Sequence, residues 1–118
     1  MKSHVRVAAV AAASAHANTQ IVSAVYDHSR GVNISISASV TGDTISAYDY
    51  ESGCHFGGTM PTLYHYGVGS HFTLNASPGG IYNGYDFDTG QHFRISVSGK
   101  TVQCYDFGEA AYFTYSTL

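Results

Sequence analysis

Three nine-residue segments hold most of the residues that could do chemistry: YDYESGCHF (48–56), YHYGVGSHF (64–72) and YDFDTGQHF (85–93). Two looser copies flank them, YDHSRGVNI (26–34) and YDFGEAAYF (105–113). Each copy carries a polar residue, Gly or Ala near its centre and an aromatic or apolar end, the pattern of a strand, a tight turn and a second strand. Asp-Thr-Gly, Glu-Ser-Gly and Gly-Val-Gly supply the chemistry of a type I turn closed by a left-handed glycine, because only glycine takes positive φ without strain. A three-residue loop of this kind pairs Asp49 with His55, His65 with His71 and Asp86 with His92 on one face. The other face then pairs Tyr48 with Phe56, Tyr64 with Phe72 and Tyr85 with Phe93.

A carboxylate beside an imidazole holds one tautomer and strengthens the ring as a ligand. His55, His65, His71 and His92, if gathered on one rim, could therefore bind a divalent transition metal such as zinc, nickel or copper. The competing reading is structural: each Asp accepts hydrogen bonds from its own turn and the His packs beside it. Repetition favours the structural reading, since a hairpin motif is copied throughout whereas an active site occurs once. The Tyr–Phe pairs read as core, with an exposed row that stacks on carbohydrate as the alternative. A wider set of ligand-binding candidates follows: Tyr48, Asp49, His55, Tyr64, His65, His71, Tyr85, Asp86 and His92. Asp86 and Asp88 suggest a calcium loop only weakly, because one copy alone has the second acid. No nucleophile motif, zincin helix, P-loop or dinucleotide fingerprint is present, so the sequence offers no catalytic residue and an enzyme is the last choice.

The elements that must position these residues are strands. The repeat tyrosines lie at 26, 48, 64, 85 and 105, and SVTGDTISAYDY (39–50) recurs as SVSGKTVQCYDF (96–107). Tight connections fall between copies, at Thr41-Gly42-Asp43, Met60-Pro61-Thr62, Ser77-Pro78-Gly79-Gly80 and Ser98-Gly99-Lys100. About ten short strands follow, near 20–27, 32–40, 44–50, 54–60, 62–66, 70–76, 81–87, 91–97, 101–107 and 111–117. The fold class is all-β: an antiparallel meander of five tandem hairpin repeats, either a closed barrel or a two-layer sandwich. At Ser98-Gly99-Lys100 the parity of the loop decides whether Val102 and Cys104, or Gln103 and Tyr105, lie beside Ile95 and Val97.

The 118 residues make one domain, over 18–118, preceded by a distinct segment. Residues 1–17 place Lys2 and Arg6 before an apolar run and end in Ala15-His16-Ala17. That order suits a signal peptide cut before Asn18, or else an Ala-rich segment that the chain retains. The first choice predicts a secreted or periplasmic protein. A disulfide between Cys54 and Cys104 then requires their strands to be neighbours. Asn33 and Asn75 begin N-x-[ST] sequons.

Only 11% of residues are charged and the formal net charge is −3, which argues against nucleic acid as a partner. No 18-residue apolar run exists, so no helical membrane span is expected. The functional expectation is a secreted, non-enzymatic binding module for a carbohydrate or another polar surface. The alternatives are a self-assembling structural protein that forms homo-oligomers through strand edges, and a metal-binding protein using the Asp–His row.

Overall fold

The repeat turns set the architecture, and they do so with one residue more than a three-residue loop. The computed structural model describes residues 1–118. Gly31, Gly53, Gly69 and Gly90 take φ between 65° and 70°, while Ala110 holds the same place in the fifth copy at 53°. The glycine N–H donates to the carbonyl four residues earlier, as from Gly53 to Asp49 and from Gly90 to Asp86, both at 2.8 Å. Four residues therefore separate the last paired positions, Asp49 with Cys54 and Asp86 with Gln91.

Ten strands result: β1 (Val22–Asp27), β2 (Val32–Thr41), β3 (Thr44–Asp49), β4 (Cys54–Thr59), β5 (Thr62–His65), β6 (Ser70–Ser77), β7 (Ile81–Asp86), β8 (Gln91–Ser98), β9 (Thr101–Asp106) and β10 (Ala111–Thr117). Their bounds fall within two residues of those read from the sequence. Each pairs antiparallel with the next, and β10 returns to β1 through Val25–Thr117 and Asp27–Tyr115. The closed barrel, rather than the sandwich, is the outcome, and closure leaves no free edge. At the rim opposite the repeat turns, Gly99-Lys100 forms a two-residue loop between Ser98 and Thr101. Val102 and Cys104 consequently point inward beside Val97 and Ile95.

The lumen is filled by a helix, α1 (Ser3–Asn18), whose residues from Val5 to Ala15 are all buried. Alanine is the strongest helix former, and a helix that is apolar all round belongs inside a core. Its small side chains keep its girth low enough for ten strands to surround it, and its backbone groups bond internally in a space without water. Helix and strand residues share a single core, where Phe56, Phe72, Phe93, Ile36 and Ile95 close on α1. A Cβ at Gly84 would collide with the Phe93 ring, so the wall needs glycine there. At its C-terminal end Thr19 turns left-handed, Asn18 Nδ2 donates to Gly99 O at 3.0 Å, and His16 bridges Tyr82 and Asp43. The segment read as a signal peptide or retained helix is thus, in this fold, the filling of the barrel.

Candidate binding site

The extra turn residue shifts every repeat hairpin by one position relative to the three-residue expectation. Tyr48 pairs with His55, Tyr64 with His71 and Tyr85 with His92, while Ala47 faces Phe56 and Gly84 faces Phe93. The expected Asp49–His55, His65–His71 and Asp86–His92 pairs do not form, nor do Tyr48–Phe56, Tyr64–Phe72 and Tyr85–Phe93. A slip of one residue exchanges the faces, so each Asp points into the lumen and each of these Tyr–His pairs points out.

The inner ring at this rim consists of Asp27, Asp49, His65, Asp86 and Asp106, all buried. Each closes its own turn. Asp49 Oδ1 accepts from the N–H groups of Glu51 (2.9 Å) and Ser52 (3.2 Å), and Asp106 Oδ1 accepts from Gly108 (3.0 Å) and Glu109 (3.3 Å). Asp27 takes Ser29 N–H and hydroxyl, and Asp86 takes Asp88 N–H and the Thr89 hydroxyl. His65 does the same work with an imidazole, its Nδ1 accepting from Gly67 (3.2 Å) and Val68 (3.3 Å). Burial, then the neighbouring His4, holds the His65 pKa below its ordinary value and so favours the neutral ring. Arg6 of α1 reaches into the ring, donating to Asp106 Oδ2 at 2.8 Å and Tyr115 OH at 3.0 Å, with its guanidinium carbon 3.6 Å from the centre of the Phe113 ring. Burial opposes the Arg6 charge, but Tyr115 and Asp106 outweigh it and hold its pKa above the ordinary value.

The four candidate metal ligands are therefore divided. His65 is in the lumen, whereas His55, His71 and His92 stand outside on successive hairpins, and no three His, Cys, Asp or Glu side chains come together as a metal-holding group. Asp88 is engaged by Lys2 at 3.1 Å while Asp86 faces inward, so the two do not form one cation loop. Cys54 and Cys104 are both free thiols, on β4 and β9, five places apart in a ring of ten strands with α1 between them. Their strands are not neighbours, and no disulfide joins them. Burial pushes the Cys104 thiol up to about 12.

The outer ring is aromatic. On each of the three central hairpins, one tyrosine lies edge-on between two further rings: Tyr48 between Tyr50 and His55, Tyr64 between Tyr66 and His71, Tyr85 between Phe87 and His92. Centroid separations run from 4.6 to 4.8 Å. Tyr105 repeats the arrangement with Phe107 and Tyr112, and Tyr26 keeps only His28. The backbone N–H groups of Tyr66, Phe87 and Phe107 donate to the carbonyls of His55, His71 and His92, which ties each hairpin to the one before it at this rim. The four clusters follow one another as a belt around most of one end of a wall rich in Ser, Thr, Asn and Gln, and the β1–β2 hairpin interrupts it. Tyr50, Tyr66, Phe87, Phe107 and Tyr112 are 57–66% exposed, and none of them was among the sequence candidates. The signal was present, since an aromatic two places after the first tyrosine must share its face in a strand.

Two shallow grooves open on this wall. One, of about 720 Å3, has Gly57 and Gly58 in its floor with His55 and Tyr66 beside them. The other, of about 600 Å3, crosses β7 to β10 and is bordered by Arg94, Tyr105, Phe107 and Tyr112. Comparison of the chain with protein-family models, curated proteins and solved structures finds no match.

Proposed function

We propose that the protein is a non-enzymatic binding module whose aromatic belt takes saccharide rings. The observation that carries this reading is the fourfold repetition of one exposed three-ring cluster on a barrel whose core does not need it. A sugar presents an apolar face of C–H bonds edged by hydroxyls, and a ring held edge-on by its neighbours offers a fixed aromatic surface for that face. The Ser, Thr and Asn of the surrounding strands supply hydroxyl and amide partners. Repeated weak sites on one rigid frame suit a repeating polymer, where avidity multiplies modest affinities. The strongest pKa displacements, at Cys104 and Tyr115, arise from burial in the core and not at either groove, which favours binding over catalysis. Closure of the sheet removes the strand edges through which a fibre would grow. A polysaccharide ligand would also place the protein outside the cell or in the periplasm, with α1 retained as the core.

Affinity electrophoresis through gels containing laminarin, galactomannan, alginate or polygalacturonate tests the reading. Retardation by at least one polymer is expected, abolished in a Tyr50→Ser/Tyr66→Ser/Phe87→Ser/Phe107→Ser variant that keeps its far-ultraviolet spectrum. Unchanged mobility in all four polymers would overturn it.

A further inference from the structure

The belt is not uniform, and its departure from the repeat falls at the groove over β7–β10. We propose that this groove is a subsite for a sugar carboxylate, a uronate residue of an acidic polysaccharide, with Arg94 as its ion-pair partner. The inference rests on the saccharide reading above. Register places Asn83, Arg94, Tyr105 and Tyr112 side by side on four successive strands, all facing outward. Tyr105 lies edge-on to Phe107 at 4.8 Å and to Tyr112 at 4.6 Å, so the aromatic surface beside the guanidinium is held in place. Here Tyr112 replaces the imidazole of the three central hairpins, and the positive charge is supplied by arginine, which stays charged at any physiological pH.

Arg94 is the arginine with no acid of its own. Arg6 is paired with Asp106 and Arg30 with Glu51 at 2.9 Å, whereas no carboxylate lies within ion-pair distance of Arg94. The chain's formal charge of −3 does not oppose an anion here, because it resides in the lumen. Asp27, Asp49, Asp86 and Asp106 are buried there with Arg6. The remaining four acids and four fixed cations balance on the outside. Of those acids, Asp43, Asp88 and Glu51 are each engaged by a basic side chain, leaving Glu109 in the turn at the rim. A planar guanidinium presents two parallel N–H groups that match a carboxylate, and a concavity of about 600 Å3 lies within the range that holds small ligands. The glycine-floored groove at β3–β5 has rings but no guanidinium, and serves as a neutral counterpart within the same molecule.

Titration of the full chain, followed by amide NMR shifts, compares trigalacturonate, galactotriose and a tri-glutamate peptide. Trigalacturonate is expected to bind roughly ten- to hundredfold more tightly than galactotriose, with shifts centred on β8–β10. Arg94→Gln should bring the two within about threefold, and Tyr112→Ser should weaken both. Equal affinity for the two sugars in the wild type, or an acid preference that survives Arg94→Gln, would overturn the carboxylate subsite while leaving a saccharide-binding module. Tri-glutamate binding as tightly as trigalacturonate would replace the sugar with an acidic peptide. Failure of every saccharide to bind would overturn both this proposal and the reading it rests on.

Discussion

Tyr48 and Asp49 are consecutive, yet they belong to two rings with opposite character. Asp49 and its equivalents point inward, are at most 1% exposed, and accept hydrogen bonds from their own turns. Tyr48 and its equivalents point outward and support rings that remain more than half exposed. The alternating pleat of a strand makes this division from one short motif. Repetition has a different meaning on each side. Inside, it is required, because four-residue loops with a buried first position need an acceptor for two backbone N–H groups. Outside, packing requires nothing of the kind, and the repeated exposed rings are what the proposed binding role rests on.

Removing Asp106 tests the inner ring most severely. Asp106→Ala leaves Arg6 without its buried counter-charge and two turn N–H groups without an acceptor. A loss of about 3–5 kcal/mol in unfolding free energy is expected, measured by urea denaturation. A loss under about 1 kcal/mol would mean that the ring is not what holds this rim together.

His65 provides a smaller effect with a defined pH dependence. Its pKa in the folded chain lies below the ordinary value of 6.5, through burial first and His4 second. Its neutral form is favoured on folding, so this contribution is fully present above about pH 6.5. It is lost as pH falls through 6.5 toward the depressed folded value, with a slope of at most about 1.4 kcal/mol per pH unit. His65→Asn keeps an acceptor for Gly67 and Val68 and should remove that slope. An unchanged acid profile in His65→Asn would place the sensitivity elsewhere.

The strands were legible because Gly, Pro and Asp punctuate them at every turn and only short apolar alternation lies between. Closure followed from ten hairpin-linked strands, although sequence left a sandwich equally open. The facing of the site was not legible. Asp86-Phe87-Asp88-Thr89-Gly90 suits a three- or a four-residue loop, and the difference moves His92 from beside Asp86 to beside Tyr85. The helix was missed as core for a related reason: a segment buried on all sides has no polar face to reveal its partner. Nothing in Val7 to Ala13 separates a lumen filler from the apolar stretch of a signal peptide. Tyr50 and Tyr66 were visible two places after their repeat tyrosines, but a three-residue turn made them the last residues of strands on the face read as core. The four-residue turn instead begins with them and leaves them exposed.

The smallest expected change is the one that most sharply divides the rings. Tyr66 is 65% exposed and meets Tyr64 edge-on at 4.8 Å, a contact that water also surrounds. Tyr66→Ser should therefore alter unfolding free energy by no more than about 0.5 kcal/mol, the scale of surface substitutions. Binding should respond in the opposite proportion, since the removed ring faces the groove floored by Gly57 and Gly58. Calorimetry and affinity electrophoresis on the same preparation measure both quantities. A destabilisation comparable to that of Asp106→Ala, with polymer retardation unaltered, would make the outer ring a structural device like the inner one and dissolve the distinction between them.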